Sequence, residues 1–249
     1  TYQRLEESSV RADDFFTTAN SPQVVGENTF YLSGTNSNYY SGRLYSQWTD
    51  ALSTELRYSR SEVTDVQDPI GGGEAQSGSP IYRIIVGIDN PGGTPDGAVM
   101  AGPGTSRSAN DLQTEVEVYR AVANLEAGDH TLKLGGEYNQ ADLFNLFVQN
   151  ATGTLVFRNL ADLQQGLLSP GLGNNQTSTT PANIVSGQTE GAFVNRTFNG
   201  DINQAAAEFR REIFSAFVQD EWRMTDRLTT VLGLRMDTYF GGNPQRNVN

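Results

Sequence analysis

Apolar residues in this chain fall on alternate positions rather than in runs, most clearly from Phe214 to Asp237, FSAFVQDEWRMTDRLTTVLGLRMD. From Leu228 onward, Leu228, Leu232, Leu234 and Met236 share one parity with Thr230, while Thr229, Val231, Gly233, Arg235 and Asp237 fall between them. A period of two puts the two sets on opposite faces of a β-strand. The preceding arm sets Phe214, Ala216, Val218 and Trp222 against Ser215, Gln219 and Glu221, with Asp220 interrupting the apolar side. Met224-Thr225-Asp226 is too short for a crossover, so the two arms are predicted to be antiparallel neighbours.

The same object recurs along the chain. Residues 38–49 carry Leu44 and Trp48 on one side and Arg43, Tyr45 and Gln47 on the other. Asp50-Ala51 turns the chain, and 53–65 returns with Leu56 and Tyr58 opposed to Glu55, Arg57 and Ser59. A third hairpin, 112–126 and 130–142, turns at Ala127-Gly128-Asp129. Its first arm carries Leu112, Val116, Val118 and Val122, with Glu115, Glu117 and Tyr119 opposite; its second carries Leu132, Leu134 and Tyr138 against Thr131, Lys133 and Glu137. With a weaker strand at 2–12 and the arms 209–223 and 227–240, seven strands are predicted.

The connections 13–37, 66–111 and 143–208 are long and polar. Ile81–Ile88 is expected to form a strand of its own, and Phe144–Val148 to pair with Thr154–Phe157 around Gly153. Asn159 as N-cap, Asp162 at the third position and Gly166 as a stop predict a short helix Leu160–Gln165. Beyond Ser169 the low apolar content predicts an exposed, mobile stretch.

Tight turns on one side and very long connections on the other are the asymmetry of an outer-membrane barrel, whereas a sandwich turns every 8–12 residues or so. Both arms of the hairpin 209–223 and 227–240 exceed the roughly 9–11 residues needed to cross the hydrocarbon. The expected fold is therefore all-β, an antiparallel transmembrane β-barrel present as part of its wall, with the long connections outside the cell. Lipid then meets the apolar face. Arg43, Arg57, Lys133, Arg235, Glu55, Glu115, Glu137 and Asp237 are expected on the lumen side, and Trp48 and Trp222, beside tight turns, in an aromatic girdle at the periplasmic rim.

Composition narrows the function. A net charge of −12 over 249 residues offers no basic stripe for nucleic acid. No cysteine is present, and no apolar run is long enough for a membrane-spanning helix. His130 is the single histidine, so neither a triad nor a zinc site can be assembled around it, and it reads as an interfacial polar residue. The acidic pairs Asp13-Asp14, Asp65/Asp68 and Asp89/Asp96 lack EF-hand spacing, and Gly71-Gly72-Gly73 and Gly92-Gly93 lack the Lys-Ser/Thr of a phosphate loop. No catalytic residue, metal or cofactor is expected, and the chain is not read as an enzyme. Neither end carries a leader or an initiator Met, which reads as an internal fragment.

Three segments resemble the barrel of TonB-dependent outer-membrane receptors: SAFVQDEWRMTDRLTTVLGLRMD, HTLKLGGEYNQADLFNLFVQN and TGTLVFRNLADLQQG. In that family a QDEW-like strand end turns into a strand closing on Gly-Leu-Arg-aromatic-Asp. Gln219-Asp220-Glu221-Trp222 and Gly233-Leu234-Arg235-Met236-Asp237 are similar, with Met236 where Tyr is usual, and the pattern Gly242 to Asn247 matches too. The similarity covers about Asn38 to Asn249 and extends to the large Oar-like receptors that carry a carboxypeptidase-regulatory-like N-terminal domain. It implies a 22-strand barrel around a plug, and active uptake of a scarce solute (a siderophore, glycan, cobalamin-like molecule or peptide) in the outer membrane of a Gram-negative bacterium. The implied partners are membrane lipid and lipopolysaccharide, the plug of the same protein, the TonB complex through an N-terminal segment, and the solute. Neither plug nor TonB box is recognisable in the 249 residues. Two other readings stay open: a surface-binding or adhesion protein without transport, and a soluble β-rich binding domain. The soluble reading expects Leu56, Leu232 and Leu234 under a second layer of the same chain.

Overall fold

The computed structural model describes residues 1–13, 21–92, 95–173, 178–197 and 199–242. Alternation of side chains is satisfied by pairing strands edge to edge, because a whole face can then share one environment. In chain order the strands are β1 (Tyr2–Ala12), β2 (Gln23–Val25), β3 (Phe30–Gln47), β4 (Leu52–Val66), β5 (Arg83–Ile88) and β6 (Gly97–Ala101). They continue as β7 (Asn110–Ala127), β8 (His130–Phe147), β9 (Thr154–Phe157), β10 (Ala192–Phe193), β11 (Ala207–Thr225) and β12 (Leu228–Gly241).

Seven long strands form one antiparallel sheet in the order β1-β3-β4-β7-β8-β11-β12. Its two edges, β1 and β12, do not pair with each other, so the sheet is an open arc of wall. The tight turn at Gly128 needs a left-handed backbone (φ 64°), which glycine adopts without strain. Several strands outrun the expected bounds. β3 begins at Phe30 rather than 38, and β8 runs to Phe147 rather than 142. Alternation lapses in both extensions, since Leu143, Phe144, Leu146 and Phe147 put apolar residues on both faces of β8 and Phe30-Tyr31-Leu32 do the same at the start of β3, although the ladder of hydrogen bonds continues.

The three long connections are not open loops. They combine into a second, mixed sheet in the order β10-β9-β5-β6-β2. β5 pairs antiparallel with β6 and parallel with β9; β2 joins β6 parallel, and β10 joins β9 antiparallel. Its core is Ile85, Ala98, Met100, Val156 and Ile184, with Val25 and Phe193 against it. Two helices cover the sheet, α1 (Leu160–Gln165) and α2 (Pro181–Val185). The α1 ends are as expected: the Asn159 side chain accepts from the Asp162 N–H at 2.9 Å, and Gly166 leaves in the left-handed region at φ 69°.

Two expectations about these connections are corrected. Residues 144–147 continue β8 instead of pairing with 154–157, which finds β5 and β10. The stretch beyond Ser169 supplies α2, whose Ile184 is fully buried in the core. One apolar side chain in a polar run is enough to anchor it when the partner surface comes from elsewhere in the chain.

Asp13 links the connections. Its carboxylate accepts from the backbone N–H groups of Ser106 at 2.9 Å and Arg107 at 3.1 Å. Gly104 permits this approach, since a Cβ there would stand 2.3 Å from the carboxylate. Arg107 in turn lies 4.6 Å over the ring of Tyr31 in β3 and donates to Gln67. Asp13 thus serves as a cap, while Asp14, Gly93 and residues 243–247 of the closing motif lie outside the described residues.

Ile85→Ala should cost the small domain about 2–5 kcal/mol. The expected result is new protease cutting within 66–111 and 143–206, with the seven-stranded sheet still heat-modifiable on gels. Unchanged protease resistance would contradict a shared core.

Candidate functional site

Register assigns every side chain of the large sheet to one of two faces. On the first, Leu44, Leu56, Ala121, Gly136, Ala216 and Met236 stand in one cross-strand row. Among the described residues nothing covers this face: Leu56, Leu232 and Leu234 are 52%, 62% and 74% exposed. The second-layer expectation of a soluble fold therefore fails at all three.

Aromatic residues bound this apolar face at both ends. Beside the tight turns, Trp48 donates its indole N–H to the Thr54 hydroxyl at 2.9 Å. Trp222 stacks on His130 with centroids 5.3 Å apart, and His130 Nδ1 lies 2.8 Å from an Asp220 carboxylate oxygen. That contact accounts for Asp220, the one break in the apolar alternation of its arm. At the other end, Tyr58, Tyr119, Tyr138 and Phe214 form a single cross-strand row, continued by Tyr40 and Tyr2 one step away. Neighbouring rings lie 5.0 Å (Tyr58–Tyr119), 6.3 Å (Tyr119–Tyr138) and 5.1 Å (Tyr2–Tyr40) apart. Their hydroxyls point away from the apolar band: Tyr58 donates to Glu117 at 2.6 Å, Tyr2 to Asn38 at 3.0 Å, and Tyr138 to Glu212.

The separation of the two aromatic belts sets a length. From Phe214 to Trp222 the strand advances roughly 26 Å at ~3.3 Å per residue. Tilted by about 40°, that is roughly 20 Å of height, close to the ~25 Å apolar band of outer-membrane barrels. Past the tyrosines the same face becomes ionic. Arg60 pairs with Glu62 at 2.6 Å and Glu115 at 3.0 Å, and Arg210 pairs with Asp142 at 2.6 Å.

The opposite face is polar over the same height. Arg43, Arg57, Arg120, Glu137, Ser215 and Asp237 stand in one row across β3, β4, β7, β8, β11 and β12. Glu55, one step toward the turns, serves two arginines, Arg57 at 2.8 Å and Arg43 at 3.4 Å. Arg120 lies 3.8 Å from Glu137. Arg235 pairs with Asp237 at 2.8 Å, and both hold the buried Ser215 hydroxyl, which donates to Asp237 and accepts from Arg235 at 2.9 Å. Lys133 shares this face, in register with Asn124 and Gln219. Arg43, Arg57, Glu55, Lys133, Glu137, Arg235 and Asp237 are thus together on one face, and Trp48 and Trp222 lie at the turn end of the other.

Glu115 is not with them. It stands on the apolar-band face above the tyrosines, while Val116, Val118 and Val122 of the same strand point to the polar face, Val122 only 5% exposed. On β7 the heavier apolar stripe turns away from the band. Reading that stripe as the outer face also hid Arg120, which shares its parity. The missing signal was in the turn: a two-residue link at Gly128-Asp129 pairs Ala127 with His130, and counting back from it pairs Arg120 with Glu137 and Tyr119 with Tyr138.

Adjacent glycines show how the two faces differ. A Cβ on Gly135 would meet the Phe217 ring at 2.6 Å and the Ala121 carbonyl oxygen at 2.7 Å. On Gly136 it would meet only the Ser215 carbonyl oxygen, at 3.4 Å. Phe217 uses the space over Gly135, with Arg120 5.8 Å from its ring.

The apolar band between two aromatic belts, backed by a polar face, defines a membrane-spanning β-wall. The chain belongs to the outer membrane beta barrel domain family, whose model matches residues 4–248, and it resides in the outer membrane. Among solved structures it is similar to the outer membrane transporter YddB from Escherichia coli, with a TM-score of 0.52 and 12% identity. That likeness covers 98% of this chain and 25% of the transporter, so the chain spans about a quarter of its length. Comparison with curated proteins finds no match.

Gly135→Val should destabilise the wall by about 1–3 kcal/mol through overpacking against Phe217. Gly136→Val should be close to neutral. Equilibrium unfolding of the two variants in detergent gives the comparison, and equal shifts would contradict the assignment of faces.

Proposed function

We propose that this chain is a wall segment of a TonB-dependent receptor that takes up a scarce solute across the outer membrane. The observation that carries the reading is the ionic row from Arg43 to Asp237 on the face opposite the apolar band. Such a face suits a wet lumen, where it would meet a plug from the same full-length protein and the passing solute. Glu55 and Glu137 are the counter-charges for a run of three arginines that would otherwise repel. The folded domain of long connections then faces the exterior and meets the solute first.

Energy coupling through TonB rests on the resemblance of Gln219–Trp222 and Gly233–Asp237 to the family's strand ends. The solute class is a siderophore, glycan, cobalamin-like molecule or peptide. The compact packing of the connections also favours a second reading, a surface-binding protein without active transport, because a folded outer domain can bind without conducting. No chemistry of bond making is assigned to the chain.

Deleting the gene and complementing it with the full-length protein separates these readings. Energised accumulation of a labelled solute should return with the complement and collapse when the proton gradient is dissipated. Solute retained at the surface with no gradient dependence would favour binding alone. Arg57→Gln with Arg120→Gln should lower uptake several-fold while the protein still reaches the outer membrane in heat-modifiable form.

A further inference from the structure

We infer that a hollow on the apolar face, just to the turn side of the tyrosine row, seats one acyl chain of lipopolysaccharide. Its floor is Ala121, Gly136 and Ala216, three small residues in cross-strand register on β7, β8 and β11. Tyr119, Tyr138 and Phe214 wall it on one side and Leu134 on the other, with Leu56 closing one end of the row. Two adjoining spaces of about 710 and 550 Å³ open here and share Leu56, Ala121 and Gly136.

The fold does not require this emptiness. Gly136 is not among the positive-φ glycines, and a Cβ on it would meet a single backbone oxygen at ordinary contact distance. Gly42, which lines the same hollow, has nothing within 4 Å of its would-be Cβ. Gly135 next door is the contrast, since its missing side chain is filled by Phe217. The space over Gly136 and Gly42 is left for something outside the chain.

Continuity with the lipid interface says what fills it. Inside a bilayer the hydrophobic effect does not drive apolar groups together, so dispersion and shape decide what stays. A flexible methylene chain laid along the Ala-Gly-Ala floor recovers the contacts that bulk lipid, packed against protruding leucines elsewhere on the face, does not. The hollow lies in the half of the band nearest the long connections. On the reading above, that half is the outer leaflet, whose lipid is lipopolysaccharide, and the inference rests on that orientation.

The test uses the full-length protein in asymmetric vesicles with lipopolysaccharide outside and phospholipid inside. One preparation carries a diazirine on a lipid A acyl chain, a second carries it on the phospholipid. After photolysis, the lipid A label on peptides holding Ala121, Gly136 and Ala216 should exceed that on the peptide holding Met236, which stands in the same cross-strand row outside the hollow, roughly fivefold, the ratio equivalent to about 1 kcal/mol. Gly136→Leu should bring it down to the control level while Gly136→Ala retains most of it, with heat-modifiable mobility checking the fold of each. Even labelling of both peptides, or label unchanged by Gly136→Leu, would overturn the seat. Phospholipid label in the hollow without lipid A label would overturn both the source and the assumed orientation. Solute uptake is read separately: hollow labelling without energised uptake leaves the seat standing and removes only the transport reading.

Discussion

Backbone hydrogen bonding in a medium without water is the constraint on which this structure depends. Each N–H and C=O at hydrocarbon depth costs several kcal/mol if left unpaired, so a wall can be built only from strands that pair along their whole length. Once pairing is compulsory, the only freedom left to the sequence is which residues point to which side. Between the aromatic belts the chain uses it by placing mainly Leu, Ala and Met on one parity and Arg, Glu, Ser and Asp on the other. Burial in the usual sense contributes little to the large sheet: Ser215 and Val122 are among its few well-buried side chains, and the conventional core belongs to the small domain around Ile85.

The spanning wall was legible in the sequence because alternation and turn length are local signals. Leu228 to Met236, Leu44 with Leu56, and the short links read at Ala127-Gly128-Asp129 and Met224-Thr225-Asp226 state the strands and their pairing without outside help; the links themselves close to Gly128-Asp129 and Asp226-Arg227. β7 was the exception among the spanning strands. Val116, Val118 and Val122 make its polar-side stripe look like its lipid side, and hydrophobicity alone cannot correct that; only register with β8 does. Glu115 and Tyr119 changed face for this one reason, and Arg120 went unplaced. The tyrosines were visible one at a time, but a belt is a property of several strands in register.

The small domain was legible only in parts. Ile81–Ile88 and the helix capped by Asn159 carry their own signals. β2, β6 and β10 do not, since each is short; β2 pairs parallel with the distant β6, and β10 reaches β9 only across both helices. A strand of three residues such as Gln23–Val25 has no periodicity to read. Ile184 could not announce itself as core because the surface that buries it comes from β5, β6 and β9. The Asp13 cap on residues 106 and 107 likewise depends on a meeting between two connections, which no local pattern encodes.

The order β1-β3-β4-β7-β8-β11-β12 has a consequence of parity. In an antiparallel series of seven, the first and last members point the same way. Rolling this arc shut on itself would bring two codirectional edges together, a pairing foreign to an all-antiparallel cylinder. Closure therefore takes an odd complement of further strands, and the completed circumference counts an even number.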